Sequence, residues 1–119
     1  MGLDQYMFKS IKDNADEGDT IEIAYWRKCR HIQNWMEAKW RENGNNGQFN
    51  CEILTMTHGL LDELEEDVAN LNIHQYDADG FFYGSYDFTK EDEEYLHDTI
   101  QKCREAIDLG YHVYYDSWW

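Results

Sequence analysis

The chain has 119 residues, a formal net charge of -15, 42% hydrophobic and 16% aromatic residues. That composition excludes a disordered chain and suits one small domain with a single core; no run of about 18 apolar residues is present to span a membrane. Residues 1–50 hold 8 acidic and 7 basic residues and residues 51–119 hold 17 and 3, so a basic face broad enough for duplex nucleic acid is excluded as well.

In chain order, "MGLDQYMFKS" carries no signal-peptide pattern. Its position 6 is Tyr, where a myristoylation signal needs Ser or Thr. Residues 3–9 alternate loosely and predict a first strand. The polar stretch after it reads as a loop. Asp19-x-x-Glu22 resembles a capping box and predicts a first helix over about 21–42. Tyr25, Cys29, Ile32, Met36 and Trp40 fall at helical spacing, with Ala24 and Trp35 widening the stripe. "NGNNGQ" ends that helix, because Asn and Gly tolerate a left-handed backbone. Residues 49–56 predict a strand or an extended lead-in. Thr57 then caps a second helix over 58–71, with Leu60, Leu61, Leu64, Val68 and Leu71 inward and residues 62–67 supplying an acidic outer face. "FFYGSYDF" reads as extended. Thr89-x-x-Asp92 is another capping box, opening a third helix over 90–108 with Leu96, Ile100, Cys103 and Ile107 inward. Gly110 stops it, and "YHVYYDSWW" predicts a last strand. Three helices interleaved with short strands predict an α+β fold, in one domain over residues 1–119.

Cys29, Cys51 and Cys103 lie in apolar contexts and read as buried free thiols of a reducing compartment rather than as a disulfide. No residue pattern marks a nucleophile elbow or a phosphate loop, so the sequence points away from an enzyme. "DADG" at 77–80 does not complete a calcium loop, and the five His have no paired-ligand spacing. Neither a metal nor a cofactor is expected.

The remaining chemical signal is rings beside cations. Residues 25–41 hold Arg27, Lys28, Arg30, Lys39 and Arg41 against Glu37 alone. On a helix, Trp26 and Arg30 share one face, and Arg27, His31 and Asn34 form a neighbouring row. Rings and guanidinium planes stack on bases, and Arg grips phosphate through paired donors. In "GFFYGS" the small residues flank rings and let a ligand approach the backbone, which brings in Tyr83, Gly84 and Ser85. The candidate ligand-binding set is therefore Tyr25, Trp26, Arg27, Lys28, Arg30, His31, Tyr83, Gly84 and Ser85. Each has a structural alternative: Tyr25 and Trp35 suit the core, and Arg27 and Lys28 suit ion pairs with the acidic helix. Trp118 and Trp119 are expected to dock on the core or to form a subunit contact in a homo-oligomer, to which the last strand could also add a free edge.

Several of these stretches together resemble a family of small phage and prophage proteins. The resemblance is carried by "MGLDQY" at 1–6, "AYWRK" at 24–28, Ile32 with Trp35, "GFFYGS" at 80–85 and "YYDSWW" at 114–119. Their order and spacing cover nearly the whole chain. The family pattern has His after the Ile and Phe after the Trp, where this chain has Gln33 and Met36. Small phage proteins of this size often disarm host defence, and the resemblance implies a sponge that binds a cyclic nucleotide or related immune signal without cutting it. It also implies the cytoplasm of an infected bacterial host. The alternative function is an acidic inhibitor or DNA mimic that binds a host protein through the carboxylates of 62–67 and 91–98.

Overall fold

The computed structural model describes residues 3–11, 20–73 and 88–119. Among them the chain forms β1 (Asp4–Ser10), β2 (Thr20–Arg27), α1 (Arg30–Glu42), β3 (Leu54–Met56), α2 (His58–Ala69), α3 (Lys90–Asp108) and β4 (His112–Trp118). The strands make one four-stranded sheet in the order β2-β1-β4-β3, antiparallel throughout. The fold is α+β, as its alternation of element types predicts. No described helix is long and apolar enough to cross a membrane.

Period-two patterning decides the two faces of the sheet. Met7 of β1, Ala24 and Trp26 of β2, Leu54 and Met56 of β3, and Val113 and Tyr115 of β4 join one core cluster. That cluster takes Ile32, Trp35, Met36 and Trp40 from α1, Leu61, Leu64 and Val68 from α2, and Leu96, Ile100 and Cys103 from α3. The alternate residues of the same strands, Tyr6, Phe8, Tyr25 and Trp118 among them, point to the opposite face. A bulge between Met7 and Phe8 leaves Ile23 without a cross-strand partner and packs it against the core.

Local chemistry sets the helix ends. Thr57 accepts a hydrogen bond from Leu60 N–H, 3.1 Å, and caps α2. Thr89 and Asp92 form a reciprocal capping box on α3, whose first turn carries Glu91, Asp92 and Glu93 toward the positive end of the helix dipole. Gly110, at φ 93°, turns the chain from α3 into β4. The outer faces of α2 and α3 are joined by Arg104, which bonds Asp62 at 2.6 Å and Glu65 at 3.0 Å.

The structure corrects the first predicted helix. Residues 20–27 are strand, and α1 starts only at Arg30. Glu22 is a strand residue paired opposite Phe8 rather than part of a first helical turn, and Asp19 lies outside the described residues. A four-residue spacing such as Tyr25 to Cys29 satisfies period two as well as period 3.6, and Thr20, Ile21, Ile23, Tyr25 and Trp26 are strand formers. The break falls at Lys28, a left-handed residue at φ 59° with no glycine to announce it. Its N–H donates to Leu3 C=O, 2.8 Å.

The capping of α1 also comes from an unexpected place. Cys29 is its N-cap and has no side-chain cap. Buried Gln5 of β1 takes over: its Oε1 accepts from Cys29 N–H at 2.8 Å, and its Nε2 donates to Cys29 C=O at 2.9 Å. The same Nε2 donates to the Tyr115 hydroxyl, which in turn donates to Gln33 Oε1 at 2.6 Å. Gln33, where the resembled family has His, is therefore a buried structural residue. Two smaller corrections concern exposure. Leu71 is left-handed and exposed rather than inward, and Cys51 is exposed, while Cys29 and Cys103 are buried.

Candidate ligand-binding face

The face of the sheet turned away from the core carries a row of rings. Tyr6, on β1, is its centre. The Trp118 ring of β4 stacks on it at 4.6 Å and 27°, Phe8 lies beside it at 5.3 Å and 8°, and Tyr25 of β2 meets it at 5.0 Å and 53°. Strand register produces this row: Tyr6 pairs with Tyr25 on one side and with Asp116 on the other, and Trp118 is Asp116's neighbour two residues on. Tyr25 and Trp118 remain 39% and 40% exposed, so both ends of the row are open to a ligand.

Charged groups frame the rings. The Tyr25 hydroxyl donates to Asp4 Oδ1 at 2.6 Å, which fixes the ring's tilt. That hydrogen bond, foremost, pushes the Tyr25 hydroxyl above its usual range, while the charge of Arg27 works the other way. Burial, with Asp4 and Glu22 adding to it, raises Tyr6 too. Arg27 is exposed on the same face, paired across β1 from Asp4. Among the described residues it has no ion pair, whereas Arg41 is tied to Glu37, and Arg104 to Asp62 and Glu65. Asp116 is half-buried between Tyr114 and Trp118, and its Oδ1 is closed off from solvent without a hydrogen-bond partner. Desolvation, reinforced by the charge of Glu52, raises its carboxyl above the usual range, with the neighbouring Ser117 backbone opposing the shift.

"AYWRK" is thus split between two faces. Tyr25 and Arg27 belong to the ring face. Trp26 is 4% exposed on the core side, edge-on to Tyr95 at 5.7 Å, and cannot stack on a ligand. Lys28 occupies the left-handed corner. Arg30 and His31 begin α1, His31 buried against the Phe88 ring at 5.2 Å, so neither shares a helical row with Trp26 or Arg27. Tyr83, Gly84 and Ser85 lie outside the described residues. The alternative core reading holds for Trp35, which is fully buried and donates to Asp67 Oδ2 at 2.7 Å, but fails for Tyr25.

At the C-terminus the two tryptophans part. Trp119 is tied to its own chain, its N–H donating to Asn50 Oδ1 at 3.0 Å and its indole to Phe49 C=O at 3.3 Å. Trp118 belongs to the ring row. β4 lies inside the sheet, paired with β1 on one side and over residues 113–115 with β3 on the other, so it offers no free edge there. Tyr6, Phe8, Asp4 and Asp116 escaped the sequence reading as site residues; the signal for the first three was their period-two spacing, obscured by the polar Gln5 on the buried side of the strand.

Elsewhere, a polar cleft is lined by Lys39, Glu42, Thr55 and Glu63. Its lysine is held 3.4 Å from both Glu42 and Glu63, which leaves little positive potential for an anion. Comparison with protein-family models, with curated proteins and with solved structures found no match.

Proposed function

We propose that this protein binds a nucleotide-type small molecule on the ring face and holds it without cleaving it. The observation that carries this reading is the ring row Tyr25–Tyr6–Trp118, whose end rings Tyr25 and Trp118 are exposed, with Arg27 at one end. An exposed ring offers a stacking surface for a base, worth about 1–3 kcal/mol per base. An exposed guanidinium adds paired donors for phosphate. The net charge of -15 repels long polyanions. A small ligand bearing one or two phosphates is penalised less, because screening sets in beyond about 8 Å at physiological salt. Joined to the resemblance to small phage proteins, this reading makes the protein a sponge that withholds a cyclic-nucleotide signal from host defence.

A thermal-shift screen against mononucleotides and cyclic di- and trinucleotides tests it, followed by chromatography of the ligand recovered after heat denaturation. A ligand at about 100 times its Kd stabilises by about 2.7 kcal/mol, which corresponds to roughly 10 °C in Tm for a domain of this size. Intact recovery supports sequestration. A cleaved product moves the protein to the enzymes, and no shift across the panel removes the nucleotide reading.

A further inference from the structure

β2 is the outermost strand on its side of the sheet: β1 pairs with one of its edges, and no described strand pairs with the other. The register shows which of its backbone groups point outward. Lys28 N–H donates to Leu3 C=O, so Leu3 and, by alternation, Gln5, Met7 and Lys9 turn their peptide groups toward β2. Ile21, opposite Lys9, therefore turns inward, and Thr20 and Glu22, opposite Ser10 and Phe8, turn outward. Beyond the bulge the outward residue is Tyr25, whose N–H donates to the Tyr95 hydroxyl of α3 at 3.0 Å. Tyr95 thus closes this edge at Tyr25, and among the described residues no hydrogen bond closes it at Thr20 and Glu22.

Beside the open stretch, a cleft of about 220 Å³ lies between β2 and the last turns of α3. Ile21, Ile23 and Leu109 are its apolar walls, and Ile21 and Leu109 are 52% and 76% exposed, so apolar area is left uncovered at the rim. Two cations in the cleft are already engaged: Lys9 Nζ sits over the Tyr111 ring at 4.8 Å, and Lys102 Nζ is 3.1 Å from Asp98 Oδ2. Its two carboxylates, Glu22 and Glu105, are exposed and have no ion pair among the described residues. We propose that this edge docks an extended, basic segment of a partner protein, which adds to β2 as a further strand. Main-chain hydrogen bonds at Thr20 and Glu22 hold the segment, an apolar side chain enters the cleft, and a Lys or Arg meets Glu22 and Glu105. The net charge of -15 draws a basic segment in from a distance. A second copy of this chain is the poorer occupant, because its β2 brings another Glu22 to a cleft whose unpaired charges are already acidic. This site is independent of the nucleotide reading.

The experiment is fluorescence anisotropy of two labelled peptides, one alternating valine with lysine and one alternating valine with glutamate, with light scattering of the free proteins. Wild type should bind the lysine peptide at least about tenfold more tightly than the glutamate peptide. Glu22→Pro removes the outward N–H while leaving the β1–β2 ladder intact, and should abolish binding. Glu105→Lys, at an exposed helical position, should weaken it about tenfold or more and keeps the test decisive if the proline variant does not fold. Glu66→Lys makes the same change of net charge on α2 and should bind nearly as wild type. Equal binding of the two peptides, binding of neither, or equal losses in Glu105→Lys and Glu66→Lys overturns the proposal. A wild-type dimer that Glu22→Pro returns to a monomer overturns it too, and assigns the edge to a second copy.

Discussion

Replacing Gln5 by Ala should be among the most damaging single changes in this protein, although Gln5 is a polar residue in a strand. Its side chain makes three hydrogen bonds: to Cys29 N–H, to Cys29 C=O and to the Tyr115 hydroxyl. The Cys29 carbonyl keeps a second donor in Gln33 N–H, 3.1 Å away. The Cys29 N–H loses its Gln5 acceptor, at a helix start without a side-chain cap. Losing that bond at a buried N–H costs about 1–3 kcal/mol and each of the other two bonds about 0.5–1.5 kcal/mol. The sum is about 2–6 kcal/mol, against a total stability of about 5–15 kcal/mol for an ordinary domain. Tyr115→Phe removes only the hydroxyl that links Gln5 and Gln33, and should cost about 1–2 kcal/mol. Urea denaturation followed by far-ultraviolet circular dichroism measures both. With a slope of about 1.5 kcal/mol per molar urea, the Gln5→Ala midpoint falls by about 1.3–4 M at an unchanged slope. A loss below about 1 kcal/mol, or a Tyr115→Phe variant less stable than Gln5→Ala, refutes the assignment of Gln5 as the cap that joins β1 to α1.

Further outcomes follow from other parts of the structure. In the native protein a thiol reagent should modify Cys51 alone, and all three cysteines only in denaturant, because Cys29 and Cys103 are buried and burial pushes the Cys103 thiol up to about 12; native labelling of Cys103 contradicts the core packing. Asp116 has a raised folded-state pKa, so its contribution favours the fold below its unfolded-state pKa and is lost as pH rises through the folded-state value. Asp116→Asn should therefore raise Tm at about pH 7 relative to wild type, with the gain vanishing at about pH 3; a gain independent of pH assigns it to something other than ionisation. Half-exposed Trp118 and Tyr25 make an apolar patch suited to self-association. Light scattering of the ligand-free protein should then give a mass above the 14.3 kDa of one chain, with Trp118→Ala returning it to that value; a monomer at all concentrations removes the subunit contact.

What could be read directly from the chain was local. The α3 helix matches its expected bounds because both of its ends are written in short-range chemistry, Thr89 with Asp92 at one end and Gly110 at the other. Thr57 announces α2 in the same way. The boundary between β2 and α1 was hidden because Lys28 turns the chain without a glycine, and because a four-residue repeat fits a strand and a helix alike. The ring face was harder still. Tyr6, Tyr25 and Trp118 are neighbours only through the pairing of β1 with both β2 and β4, and that register joins residues more than a hundred positions apart. Sequence proximity instead tied Tyr25 to Trp26, which the alternation of β2 sends to opposite sides of the sheet.

The most direct test of the ring face as a binding site is the affinity of Trp118→Ala for GMP, measured by isothermal titration beside Trp119→Ala. Trp118 stacks on Tyr6 with 40% of its surface exposed, while Trp119 is bound to Asn50 and Phe49 of its own chain. Losing one stacking ring costs about 1–3 kcal/mol, a weakening of about five- to 150-fold. The account predicts that loss for Trp118→Ala with the fold retained, and wild-type affinity for Trp119→Ala in whatever fraction of it remains folded. Undiminished GMP binding by folded Trp118→Ala would contradict it.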